Sequence, residues 1–176
     1  MSKSLWSIDP MHSEIMFRIK HMLITNVSGT FDMFQSTIEA EKKDFSDMEI
    51  SFSADVASIN TRNDHRDEHL RSNDFFDAAN HPTLTFTSTK LSRLKDNQNT
   101  LDGTFCIRGV EKNVQLEITH TGVGLDLYGQ TKAGFEINGV INRSDFGLTW
   151  NAAAEDGGLA LGEEITLQIS SQFILQ

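Results

Sequence analysis

The segment INTRNDHRDEHLRSNDFFDAANHP, residues 59–82, decides the fold because it interrupts a chain that otherwise alternates with period two. It carries three arginines and five carboxylates, and the apolar pair Phe75 and Phe76 lies near its end. Thr61, Asn63 or Asp64 can cap a helix here, and the i, i+4 spacing of Asp67 and Arg71 favours a short one. We therefore predict a charged helical insert over about residues 62–78 that docks through its apolar C-terminal end.

Alternating apolar and polar residues fill most of the chain on both sides of this insert. Residues 48–59 are the clearest case, since Met48, Ile50, Phe52 and Ala54 alternate with polar neighbours. Several short strands at regular spacing are typical of a sandwich or an up-and-down barrel. We predict a single all-β domain over residues 1–176 with about eight antiparallel strands. The other predicted strands are residues 13–21, 29–35, 37–41, 83–91, 101–108, 114–119, 130–141 and 165–174.

The strand pattern also predicts two local features. The alternation over residues 29–35 places Phe31 and Met33 on one face of one strand. Residues 109–113, which begin with a glycine, are predicted to connect two strands and to belong to neither.

The composition limits the kinds of partner that the protein can have. A net charge of −10 argues against nucleic acid, which is bound through clustered lysine and arginine. No apolar run approaches the ~20 residues of a membrane-spanning helix. The N-terminus lacks the features of a signal peptide, so we expect a cytoplasmic protein, or a periplasmic one if a leader was removed. The single cysteine, Cys106, is expected to be a small strand residue with no catalytic role.

Four motifs in chain order carry a resemblance to a known family. They are WSIDPMHS at residues 6–13, RDEHLRSNDFF at 66–76, IRGVEKNV at 107–114 and NRSDFGLTW at 142–150. With them the chain resembles the YceI-like proteins, the polyisoprenoid-binding family of lipocalin-like barrels. One departure is Arg62, where members of that family often have glycine.

The resemblance implies an eight-stranded antiparallel lipocalin-like barrel with a long apolar lumen. Members of the family bind isoprenoid chains, prenylated quinone-like lipids or fatty-acid-like amphiphiles there, and have no established catalytic chemistry. The resemblance thus implies a non-enzymatic protein whose ligand is a lipid and which needs no cofactor or metal. Because several members form dimers, it also leaves a homodimer as an expectation.

The predicted lumen residues combine inward-facing strand positions with the apolar residues of the insert and of residues 142–150. Polarity alone nominates His21, Asn60, Arg66 and Arg143 as contacts for a polar head group. The predicted lumen residues are Phe17, Phe31, Ile50, Phe52, Val56, Leu70, Phe75, Phe76, Phe86, Phe105, Phe135, Ile137, Phe146 and Trp150.

Other functions remain open on the residues alone. His65 and His69 have the i, i+4 spacing of a zinc site, but the sequence between them is not that of H-E-x-x-H. They leave a metal-dependent hydrolase as one alternative, and an ion-paired helical cap as the structural interpretation. A barrel with a solid core that binds another protein is a second alternative. Arg143 and Asp145 form either a head-group clamp or an ion pair that fixes a turn.

Overall fold

The computed structural model describes residues 2–153 and 159–176. Within them the chain forms eleven β-segments, one α-helix and three 3₁₀ turns. The helix, α1, is Asp64–Arg71, and the 3₁₀ turns are Pro10–His12, Val56–Ser58 and Arg143–Phe146. The β-segments are β1 Ser4–Ile8, β2 Glu14–His21, β3 Thr25–Phe31, β4 Phe34–Ala40, β5 Glu49–Asp55, β6 Ile59–Asn60, β7 Thr83–Lys95, β8 Gln98–Ile107, β9 Val110–Leu125, β10 Thr131–Asn142 and β11 Leu161–Leu175.

The eleven β-segments make eight barrel strands, because three pairs of segments are the two halves of bent strands. β1 continues into β2, β3 into β4, and β5 into β6. Each barrel strand pairs antiparallel with its neighbour in the chain, and β11 closes the sheet on the first strand. In this closure Phe173 pairs with Ile8, and Ile169 pairs with Ile15. The prediction of an eight-stranded antiparallel barrel is confirmed.

The predicted single strand over residues 29–35 is wrong. β3 ends at Phe31, β4 begins at Phe34, and Met33 between them is 62% exposed. The Asp32 carboxylate holds this bend, accepting hydrogen bonds from Thr30 Oγ1 at 2.7 Å and from Asn60 Nδ2 at 3.0 Å. The strand is therefore fixed in two halves that direct different residues inward.

The predicted connection over residues 109–113 is also wrong. β9 already begins at Val110, and only Arg108 and Gly109 form the turn from β8. Both turn residues have positive φ, 51° and 72°, as a two-residue type I′ hairpin turn requires. The tight turn lets strand pairing resume at once, with Ile107 opposite Val110.

One end of the barrel is closed by a cluster that we call the aromatic floor. Phe45 contacts Trp6 edge to face at 5.2 Å and Phe135 at 5.1 Å between ring centroids. The His120 ring stacks on Phe135 at 5.1 Å, and Phe173 packs against Phe135 at 5.8 Å. Trp6 and the three phenylalanines are all buried, so this end of the barrel is filled with side chains.

The other end carries the cover, which we define as α1 with residues 72–80. The helix begins where the sequence predicts, because the Asn63 side chain caps it by accepting from Arg66 N at 3.0 Å. Phe76 packs edge to face on Phe31 of β3 at 6.0 Å. Arg108 Nη1, from the β8–β9 turn, donates to the Phe75 carbonyl at 2.7 Å. The cover is thus attached to two parts of the barrel rim.

Among residues 2–153 and 159–176, no helix has the length and apolar character needed to cross a membrane.

Candidate ligand-binding cavity

A cavity of about 400 Å³ lies between the aromatic floor and the cover. Apolar side chains make up most of its wall, from Phe173 and Leu101 near the floor to Leu70 of the cover. A volume of about 300–1,000 Å³ is usual for a site that holds a small molecule. The predicted lumen residues that line it are Phe17, Phe31, Ile50, Phe52, Leu70, Phe75, Phe76, Phe86, Phe105, Ile137 and Trp150.

Three predicted lumen residues are buried but do not line this cavity. Phe135 belongs to the aromatic floor, where Phe45 and His120 cover its ring. Val56 begins a 3₁₀ turn beyond the end of β5, and Phe146 lies in the 3₁₀ turn after β10. All three are only 1% exposed, so they are packed core residues of the barrel.

Aliphatic residues that the prediction left out form much of the remaining wall. Ile165, Leu167 and Ile169 of β11 line the cavity from one side, and Leu101 and Leu116 of β8 and β9 from another. The alternation of Ile165, Leu167 and Ile169 in the sequence was the available indication. Most of the predicted lumen residues are phenylalanines, and these aliphatic residues were not among them.

Arg66, in the first turn of α1, is the part of the cover that brings a guanidinium to the cavity wall. Its Nε donates to Thr61 Oγ1 at 2.8 Å, and its Nη2 donates to the Thr61 carbonyl at 2.7 Å. Thr61 is fixed in turn by Asp67, whose buried carboxylate accepts from Thr61 N and from its hydroxyl. A guanidinium has five N–H donors, so Arg66 is held in place with donors left for a ligand.

Arg143 also lines the cavity, but it fixes a loop. Its Nε donates to Gly162 O at 2.8 Å, and its Nη1 donates to the carbonyls of Leu148 at 2.6 Å and Trp150 at 2.8 Å. Its nearest acidic partner is Glu163, at 3.5 Å. The hypothesis of an Arg143–Asp145 pair does not match this geometry, because Asp145 is exposed on the surface.

Two further polar groups reach the cavity, and one predicted group does not. His21 and His69 line it, and Asn60 is exposed on the outer surface with its amide bound to Asp32. The His69 ring is held by a 2.9 Å hydrogen bond between Nε2 and Asp74. It also packs edge to face against Trp150 at 4.7 Å. His65, the other half of the possible zinc pair, is exposed.

The charge of the cavity wall is opposite to that of the whole chain. The protein has 25 acidic and 15 basic residues, yet among the described lining residues there is no aspartate or glutamate. The ionisable groups at the wall are Arg66, Arg143, His21 and His69. A wall with donors and without carboxylates suits a ligand that has an apolar body and a hydrogen-bond-accepting end.

Comparisons with known proteins agree with this architecture. A UPF0312 protein of Staphylococcus epidermidis is 32% identical over 169 residues, which cover 96% of each chain. The crystal structure of the Campylobacter jejuni YCEI protein superposes with a TM-score of 0.76 at 32% identity, covering 89% of this chain and 90% of that one. A polyisoprenoid binding domain from Saccharophagus degradans superposes with a TM-score of 0.69 at 17% identity, covering 97% and 98%.

The family assignment rests on the match to the whole barrel. The sequence profile described as YceI-like domain matches residues 6–173, from the first strand to the last. With this match and with relatives at 32% identity over nearly the full length, the chain belongs to the YceI-like family.

Proposed function

We propose that the protein holds one polyisoprenoid or similar long-chain amphiphile in the cavity and sequesters or carries it without changing it chemically. The observation that carries this proposal is the cavity of about 400 Å³ with its almost wholly apolar wall. Burial of apolar surface contributes about 25 cal/mol per Å², so a hydrocarbon tail needs few specific contacts to be retained.

Family membership supports the same class of ligand. The S. degradans domain, which shares this barrel, is described as a polyisoprenoid binding domain. The cavity also counts against the alternative of a solid-core interaction module, because a solid core would fill the space between the floor and the cover.

The polar groups of the wall suggest how the ligand is oriented. The tail would lie along Phe86 and Phe105, and the head group would meet Arg66 of the cover. A carboxylate, a quinone carbonyl and a phosphate all accept hydrogen bonds from a guanidinium. We therefore infer a head group of this accepting kind, with binding that is tolerant of the identity of the tail.

Mass spectrometry of the purified protein tests the proposal, first in the native state and then after organic extraction. One co-purifying prenyl or long acyl species per chain is the expected result. Absence of any such species, together with no uptake of an added prenyl quinone, would favour the solid-core alternative. Protein-bound zinc that disappears in His69→Ala would instead favour the hydrolase.

A substitution that fills the cavity gives a second test. Ile137 lies on β10 and faces the cavity, so Ile137→Trp places a bulky ring where the tail would lie. We expect this variant to fold and to lose lipid retention. Val140→Trp is the matched control, because Val140 is on the same strand, points outward and is 55% exposed. Equal lipid content in both variants would contradict an interior site.

A further inference from the structure

Three consecutive apolar residues project from the rim of the barrel at the hairpin between β2 and β3. Met22, Leu23 and Ile24 are 46%, 79% and 76% exposed. We call residues 22–24 the tip. Single exposed apolar side chains are normal on protein surfaces, but a contiguous group marks a contact surface.

The backbone of the tip is strained to hold this arrangement. Met22 and Leu23 have φ of 52° and 59°, the signs that a type I′ hairpin turn requires at its two central positions. Such turns favour Asn-Gly, because a side chain of any bulk is disfavoured at positive φ. The turn of Arg108 and Gly109 meets the same requirement with a glycine and uses Arg108 to hold the cover. The tip instead presents most of its side-chain surface to solvent, so packing against the described residues does not account for the strain.

The tip is continuous with the wall of the cavity. His21, directly before it, pairs with Leu161 of β11, and Met22 N donates to the carbonyl of Ala160 at 2.7 Å. His21, Ala160 and Leu161 all line the cavity. A surface in contact with the tip would therefore lie close to residues that line the cavity.

The hairpin that carries the tip differs in charge from the whole protein, although Glu163 and Glu164 are exposed on β11, which pairs with β2. Residues 15–31 contain no aspartate or glutamate, although the chain has 25 of them. The same stretch carries Arg18 and Lys20, both exposed on β2 near the tip. Apolar side chains flanked by basic ones are typical of protein segments that lie in a lipid interface, where the cations reach the phosphates.

We propose that the tip inserts into the surface of a lipid bilayer and so brings the cavity wall against the membrane. The role of this docking rests on the proposed function, because contact at this point would let a lipid pass between the bilayer and the cavity. The docking itself needs no ligand in the cavity.

Co-sedimentation with phosphatidylcholine vesicles tests the proposal. The informative variant is Met22→Asn combined with Leu23→Gly, which supplies the residues that a type I′ turn prefers and so preserves the hairpin. We expect its vesicle partitioning to fall on the order of tenfold, because two apolar side chains no longer enter the bilayer. Its thermal unfolding midpoint should be at least that of the parent protein.

Leu127→Ser is the matched control. Leu127 lies in the hairpin between β9 and β10 and is 100% exposed. That hairpin is at the start of β10, whose twelve residues span roughly 40 Å, whereas the tip lies near the end of this strand, where β11 pairs with His21. We expect Leu127→Ser to keep the partitioning of the parent protein.

Three outcomes would overturn the docking proposal. The first is that the parent protein does not partition to vesicles, and the second is that the parent and the double variant partition equally. The third is that the parent protein forms a concentration-dependent dimer that the double variant does not form. The last would show that the tip contacts a second copy of the chain.

Lipid extraction from the same samples keeps the two proposals separate. Retained lipid without vesicle binding removes docking alone, and vesicle binding without any retained or acquired lipid removes the lipid-carrier function alone.

Discussion

His120 is a titratable residue placed among hydrocarbon rings. It stacks on Phe135 and contacts Phe45 at 4.8 Å, and among the described residues its Nε2 has no hydrogen-bond partner. Burial lowers the pKa of His120, and this outweighs the opposing effects of the Gly122 backbone and Asp44. The native floor therefore favours the neutral imidazole.

This lowered pKa predicts a pH dependence of stability. An unfolded histidine titrates near 6.5, so between that value and the lower native pKa the unfolded chain binds more protons. The free energy of unfolding should consequently fall as the pH is lowered from 7.5 to 5. In His120→Phe this part of the dependence should be absent, because phenylalanine fills the site and does not titrate. Urea unfolding of both proteins across that range measures it, and parallel curves would contradict the assignment.

At the same scale, the sequence predicts which side chains face inward but not which of them border empty space. Phe52 and Phe86 are opposite each other on β5 and β7 and line the cavity. Phe135 alternates in the same way on β10, yet it is packed into the floor. Alternation is a local property, whereas the height of a residue along the barrel depends on the register of all the strands. This difference explains why three predicted lumen residues lie outside the cavity wall.

One buried carboxylate of the cover makes polar contacts with the residue that follows β6. Asp67 is 5% exposed and accepts from both the backbone and the hydroxyl of Thr61. Thr61 in turn positions Arg66. This connection couples the first turn of α1 to the cavity wall.

Asp67→Ala should therefore loosen the cover. Loss of the acceptor leaves the buried Thr61 N–H without a partner, at a cost on the order of 1–3 kcal/mol. We expect faster amide hydrogen exchange over residues 61–71 and faster release of a bound lipid. Asp64→Ala is the control, since Asp64 is in the same turn of the helix but exposed. Equal exchange in the two variants would show that Asp67 does not anchor the cover.

Among the secondary-structure elements, those determined by local chemistry were predicted best. The helix was predicted from its capping residue and its charges, and β5 from its alternation. The bend at Asp32 was missed because Asn60, which helps to hold it, is 28 residues away in the sequence. Long-range contacts of this kind leave no periodic pattern to read.

At the scale of the whole molecule, a ligand that binds only the folded barrel must stabilise it. At a free concentration of one hundred times Kd, the gain is about 2.7 kcal/mol. For a domain of this size that corresponds to a rise of roughly 5–10 °C in Tm. Calorimetry with an added prenyl quinone should show this rise in the parent protein and none in Ile137→Trp. An equal rise in both would place the quinone outside the cavity.

The aromatic floor has a consequence for transport. Because Trp6, Phe45 and Phe135 are packed against one another, an occupant of the barrel would enter and leave through the same end. A protein of this shape cannot be a conduit that joins two membranes and lets molecules flow through it. In the proposed carrier function it would act as a shuttle that separates from the donor before it meets the acceptor. The rate of delivery would then depend on how far the loaded barrel has to diffuse.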